Sequence, residues 1–141
     1  MVQDLYTRPK LVEFDENFAW EIMRGDSQAL QIILTAEDPA GLLNPYNITG
    51  AVIKLTVRKE TDTAVVITKS SLVPGNVTVL DATGLVLNLG GSVFEINFVP
   101  ADTSSLLPAK YVYDVEITAM AGEVHTPIKG FVSILADVTR V

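Results

Sequence analysis

Leu106-Leu107-Pro108-Ala109-Lys110-Tyr111-Val112-Tyr113-Asp114-Val115-Glu116-Ile117 is the stretch that decides the fold class. Beyond Pro108, large apolar side chains fall at every second position, at Tyr111, Tyr113, Val115 and Ile117. They alternate with Val112, Asp114, Glu116 and Thr118. A strand sends successive side chains to opposite faces, so this pattern describes a strand with one face in a core and the other in water.

The same period recurs outward from this stretch in both directions. Phe18, Trp20 and Ile22 alternate, as do Leu30, Ile32 and Leu34, then Ile53, Leu55 and Val57, then Phe94, Ile96 and Phe98. Val132, Ile134, Ala136 and Val138 close the chain in the same way. Weaker strands are expected at 64–68, 77–80 and 85–89. Val, Ile, Thr and Tyr are frequent throughout, as half-buried pleated surfaces favour. Turn formers separate the runs: Gly25-Asp26, Asp38-Pro39, Asn44-Pro45, Pro74-Gly75, Gly90-Gly91 and Gly122. No sustained helical stripe is present; Asp102 to Leu107 is expected to make one short turn with Asp102 as its cap.

About seven to nine short strands in 141 residues predict an all-β antiparallel sandwich or barrel. Two details favour an immunoglobulin-like sandwich. Tyr111 stands where such domains carry a tyrosine whose hydroxyl ties the strand to the preceding loop, and Tyr113 stands where antibody domains place a cysteine. The other reading of both tyrosines is that of ordinary half-buried strand residues. Trp20, the single tryptophan, lies on the apolar face of an early strand and is expected in the core. Residues 18–141 form the expected domain. Residues 1–17 lack alternation and read as an extended arm, with Leu5, Tyr6, Leu11, Val12 and Phe14 as its candidate partner-contact anchors.

Composition narrows the function. The chain is 48% hydrophobic and 19% charged, which is a globular balance. Its net charge of −7 disfavours nucleic acid, because affinity for phosphates comes from Lys and Arg. It contains no cysteine, which removes disulfides, thiolate metal sites and cysteine nucleophiles together. No apolar run approaches the roughly 20 residues that span a bilayer, and no signal sequence is visible; the expectation is a soluble protein without membrane contact.

No constellation points to chemistry. His125 is the only histidine, beside a predicted hairpin and without a nucleophile motif elsewhere. One histidine and no cysteine exclude the usual zinc sets, and the acidic pairs are too sparse for a calcium loop, although a weak site built from distant loops stays open. No cofactor is expected. Gly90-Gly91-Ser92 lacks the Lys-Ser/Thr ending of a phosphate loop. Arg24-Gly25-Asp26 matches an integrin-binding tripeptide, but its place between two strands favours a tight Gly-Asp turn. Asn47-Ile48-Thr49 and Asn76-Val77-Thr78 match the glycosylation sequon and sit where loops are expected.

Several of these strings occur together in a known pattern. Arg24-Gly25-Asp26-Ser27, the run Asn47-Ile48-Thr49-Gly50-Ala51-Val52-Ile53-Lys54-Leu55, the stretch Leu107 to Ile117, and the closing Gly130-Phe131-Val132 and Asp137-Val138-Thr139-Arg140 carry it. Together they resemble the immunoglobulin-like N-terminal domain of bacteriophage baseplate upper proteins and related small virion proteins. Ala109 departs from the glycine usual there. Members often continue into a fibre region, which this sequence does not show. The resemblance implies structural roles for Gly25, Asp26, Gly50, Tyr111 and Tyr113. It also implies a non-catalytic virion protein of the baseplate, tail or fibre attachment, made in the host cytoplasm. Its partners would be other virion structural proteins, with this chain present as a homo-oligomer or in symmetric copies. Head decoration or head-fibre anchoring is the alternative within that class, and a carbohydrate-binding or adhesive module is the alternative outside it.

Overall fold

The computed structural model describes residues 9–11, 20–37 and 40–136. Among them the chain forms ten strands and one short helix in two packed sheets. Sheet A contains β1 (Pro9–Leu11), β3 (Gln28–Glu37), β8 (Ser92–Phe98) and β7 (Val77–Asp81) in that order, with β4 (Leu43–Pro45) paired to the end of β3. Sheet B contains β2 (Trp20–Met23), β10 (Val124–Leu135), β9 (Ala109–Thr118), β5 (Val52–Lys59) and β6 (Val65–Ser70) in that order. The helix α1 (Pro100–Thr103) lies in the crossover from β8 to β9.

This order is that of an immunoglobulin-like sandwich. β3, β8 and β7 take the places of strands B, E and D, while β10, β9 and β5 take those of G, F and C, with β6 added at the edge as in variable-type domains. All pairings are antiparallel except that of β2 with β10, which runs parallel with Trp20 opposite Val132.

The alternation explains the packing. Ile32, Leu34, Phe94 and Ile96 of sheet A meet Ile53, Leu55, Val115, Ile117, Val132 and Ile134 of sheet B, all essentially removed from water. Each such burial is worth about 1.5–3 kcal/mol at most. Trp20 is buried, with its ring centroid 5.3 Å from that of Phe98 across the sheets and 5.5 Å from that of Tyr113 in an edge-on contact.

The backbone of Pro9–Leu11 pairs antiparallel with Leu34–Ala36 of β3, and three local expectations are revised. Leu5, Tyr6, Val12 and Phe14 lie outside the described residues. No strand forms at 85–89: Asn88 and Gly90 hold positive φ of 56° and 89°, which extended pairing cannot accommodate. The helical turn starts at Pro100 rather than at Asp102, because proline at a first helical position loses no needed hydrogen bond; Asp102 instead reaches back to accept the Val99 N–H at 2.8 Å. The last strand begins at Val124, eight residues before its alternation becomes clear, and Pro127 sits within the register shift between His125 and Ile128.

The alternation of β6 also hides an inward charge. Lys69 is 4% exposed. Its ammonium lies 2.6 Å from the Asp102 carboxylate and 5.9 Å from the centre of the Phe98 ring. Sheet B is thereby tied to the crossover between the sheets. Removing one member of a buried pair strands the other. Asp102→Asn is therefore expected to cost about 3–5 kcal/mol in urea denaturation, and adding Lys69→Met is expected to recover most of that loss. Simple additivity of the two substitutions would show that the pair is uncoupled.

Candidate interaction surfaces

Arg24, Gly25 and Tyr111, three of the residues singled out in the sequence, meet at the β8–β9 crossover. Gly25 holds φ at 82°, a left-handed conformation that glycine adopts without cost. Its N–H donates to the Thr103 hydroxyl at 2.8 Å, and Thr103 is wholly buried. The Arg24 guanidinium donates to the Leu106 carbonyl at 3.4 Å, and the Asp26 N–H closes the turn on the Met23 carbonyl. The Arg-Gly-Asp string is thus joined to the β8–β9 crossover through its backbone and its arginine, a poor arrangement for display to a receptor.

Tyr111 is buried and donates its hydroxyl to the Leu107 carbonyl at 2.7 Å. This is the corner bond of immunoglobulin-like domains. Tyr113, also buried, faces Trp20 and stands directly opposite Gly130 in the register of β9 and β10. Gly50 lies at the other end, beneath Met120 of the β9–β10 turn, where a Cβ would collide with the methionine side chain.

His125 sits on β10 with its ring edge-on to Tyr46 at 6.1 Å. Burial pushes the Tyr46 phenol above its ordinary pKa, and the nearby Glu123 carboxylate adds to the rise. Among the described residues no hydrogen-bond partner meets the His125 Nε2. Among the described residues no three His, Cys, Asp or Glu side chains stand together as metal ligands. Asn47 accepts the Thr49 N–H at 2.8 Å in an Asx turn, and the Asn76 N–H bonds the Val73 carbonyl in another turn.

Two surfaces remain that sequence reasoning missed. The first is the outer face of sheet B, where β5, β9 and β10 form an open depression of about 320 Å³. Cross-strand register aligns Arg58, Val112 and Phe131 in one row and Thr56, Asp114 and Lys129 in the next. Lys110 places its ammonium 4.4 Å from the centre of the Phe131 ring, within cation–π range. A guanidinium, an ammonium and a carboxylate around an apolar floor can seat charged and aliphatic side chains of another chain. They do not assemble a nucleophile with a base.

The second surface lies at the β7–β8 loop, and a buried carboxylate organises it. Asp81 is 2% exposed and accepts the N–H groups of Gly84, Val86 and Leu87 at 2.8, 3.1 and 2.9 Å. The loop closes so tightly that a Cβ on Gly91 would meet the Leu34 carbonyl. Leu85 and Val86 are left 73% and 70% exposed at its tip. No sequence motif announces this loop, because its signal is one aspartate placed before a run that reads as a strand.

No family model matches the chain, and no curated protein matches it. Among solved structures it is similar to murine CRIg, with 16% identity over 92% of this chain and 98% of that one, at a TM-score of 0.36. It is also similar to the IG1 and IG2 domains of DIP-gamma, with 10% identity over 94% of this chain and a TM-score of 0.39, and spans half the length of that structure. A third similarity is to the complex of Dpr1 IG1 with DIP-eta IG1, with 8% identity, coverage of 92% and 95%, and a TM-score of 0.35. Likeness at this level concerns only the fold, and the assignment rests on the strand order and pairing of this chain.

Two outcomes follow from this geometry. Tyr111→Phe is expected to lower stability by about 1 kcal/mol, read as a lower urea midpoint with an unchanged circular dichroism spectrum. Three backbone N–H donors, led by that of Leu87, hold the Asp81 carboxyl below its ordinary pKa. A carboxyl depressed in the folded state adds stability that is fully present above the unfolded value, near pH 4, and is lost as pH falls through the folded value. The thermal midpoint of the natural protein should therefore exceed that of Asp81→Asn at pH 7, and the gap should close on acidification. A gap independent of pH would remove the carboxylate from this role.

Proposed function

We propose that this protein is a non-catalytic docking module: a virion structural protein of the baseplate, tail or fibre attachment that binds neighbouring subunits. The observation that carries the reading is the place of the resemblance strings in the fold. Gly25 and Asp26 make the β2–β3 turn, Gly50 leads into β5, and Tyr111 makes the corner of β9. These motifs serve the scaffold, and the sheet faces are left for contact.

The outer face of β5, β9 and β10 is the proposed docking face, because it joins an apolar floor to fixed charges of both signs. Such mixtures give a protein partner both burial and orientation. Phe131 is the only aromatic among the large exposed hydrophobic side chains of the described residues, which gives little support to a glycan-stacking platform. Localisation in the virion belongs to the same proposal.

Light scattering on the purified protein, alone and mixed with the structural proteins encoded beside it, tests the reading. A defined stoichiometric complex is expected, weakened at least ~10-fold by Arg58→Glu with Phe131→Ala. A protein that ignores every one of those partners but is retained on a glycan surface would instead be an adhesive module.

A further inference from the structure

The segment from Ser71 to Phe94 contains a single charged residue, Asp81, and its carboxylate is turned into the β7–β8 loop. Everything this segment shows to water is therefore uncharged, in a chain of net charge −7. β7 runs through its middle at the edge of sheet A, with β8 on one side and no strand on the other among the described residues. Thr78, Val79 and Leu80 are all exposed.

Sheet edges are ordinarily blunted by charge, proline or distortion. β6 carries the inward Lys69, and β1 begins with Pro9. β7 has only an irregularity between Val79 and Asp81, which confines its open backbone to about four residues. Apolar side chains flank that short edge at both ends: Leu72 and Val73 before it, Leu85 and Val86 after it. With Val79 and Leu80 they are 39 to 75% exposed.

We propose that this edge pairs with β7 of a second copy, antiparallel about a two-fold axis, joining two A sheets into one. Two features of the edge favour a second copy as its occupant. An antiparallel strand pair is self-complementary about its own two-fold, so no other matching surface has to exist. Two chains of like net charge meet with least repulsion through a surface that carries none. The inference is independent of the virion reading; failure to enter a particle would leave it standing.

Sedimentation velocity of the full chain from about 1 to 100 µM is the test. A reversible dimer is expected. Val79→Lys with Leu80→Lys should raise its dissociation constant at least ~10-fold, with an unchanged circular dichroism spectrum. Val65→Lys, 49% exposed on the edge of the other sheet, should leave it unchanged. Because the chain has no cysteine, one of the single substitutions Thr78→Cys, Val79→Cys and Leu80→Cys, the one nearest the two-fold axis, should give a disulfide-linked dimer on mild oxidation. A natural protein that stays monomeric over this range, a dimer indifferent to the paired lysines, or a dimer that none of the three cysteines cross-links would each overturn the proposal.

Discussion

With no cysteine to bridge them, the two sheets are held together by side chains alone, and the aromatic contact among Trp20, Phe98 and Tyr113 is the joint on which the rest is hung. Antibody domains place a disulfide at the position of Tyr113. Here a large ring fills that space, Trp20 packs on it from β2, and Phe98 completes the contact from the opposite sheet. The flanking Ile and Val residues are buried in one continuous core with these rings. Dispersion and water exclusion act over the whole contact, whereas a covalent bridge acts at one point.

The crossover at 99–107 fixes the end nearest those rings. It receives the Gly25 N–H on Thr103, the Arg24 guanidinium on Leu106, the Lys69 ammonium on Asp102 and the Tyr111 hydroxyl on Leu107. These bonds arrive from β6, β9 and the β2–β3 turn, so a non-repetitive segment is held by polar contacts from three directions. The other end carries the Gly50 and β7–β8 loops, where the Asp81 carboxylate gathers three backbone N–H groups and the Ile48 N–H donates to the Ala82 carbonyl.

Legibility in the sequence followed range. Strands that bury one face wrote themselves as alternation, so the cores of β2, β3, β5, β8 and β9 could be read directly, and the Leu107-to-Tyr111 spacing exposed the corner. What escaped was set by partners distant in sequence or by a single side chain. Leu85 to Leu89 has the composition of a strand, but the Asp81 carboxylate draws in three backbone N–H groups and Asn88 takes a positive φ, and the run becomes a loop. Lys69 reads as a solvated residue until Asp102, 33 positions later, turns up beside it. The rows across β5, β9 and β10 exist only in the paired sheet, so a surface assembled from Arg58, Asp114, Lys129 and Phe131 leaves no linear trace. The strings that resemble phage virion domains serve this fold as joints, so they carry no trace of a partner.

The parallel pairing of β2 with β10 has a mechanical consequence. Tension applied between the amino-terminal side of β2 and the carboxy-terminal side of β10 pulls these neighbouring strands in opposite directions along their own axes. Their hydrogen bonds are then loaded together in shear, whereas in a peeled hairpin they break one at a time. A domain wired in this way resists stretching along the line joining those two strands while yielding more readily to sideways pull. Such anisotropy suits a link that must transmit force between the parts it connects.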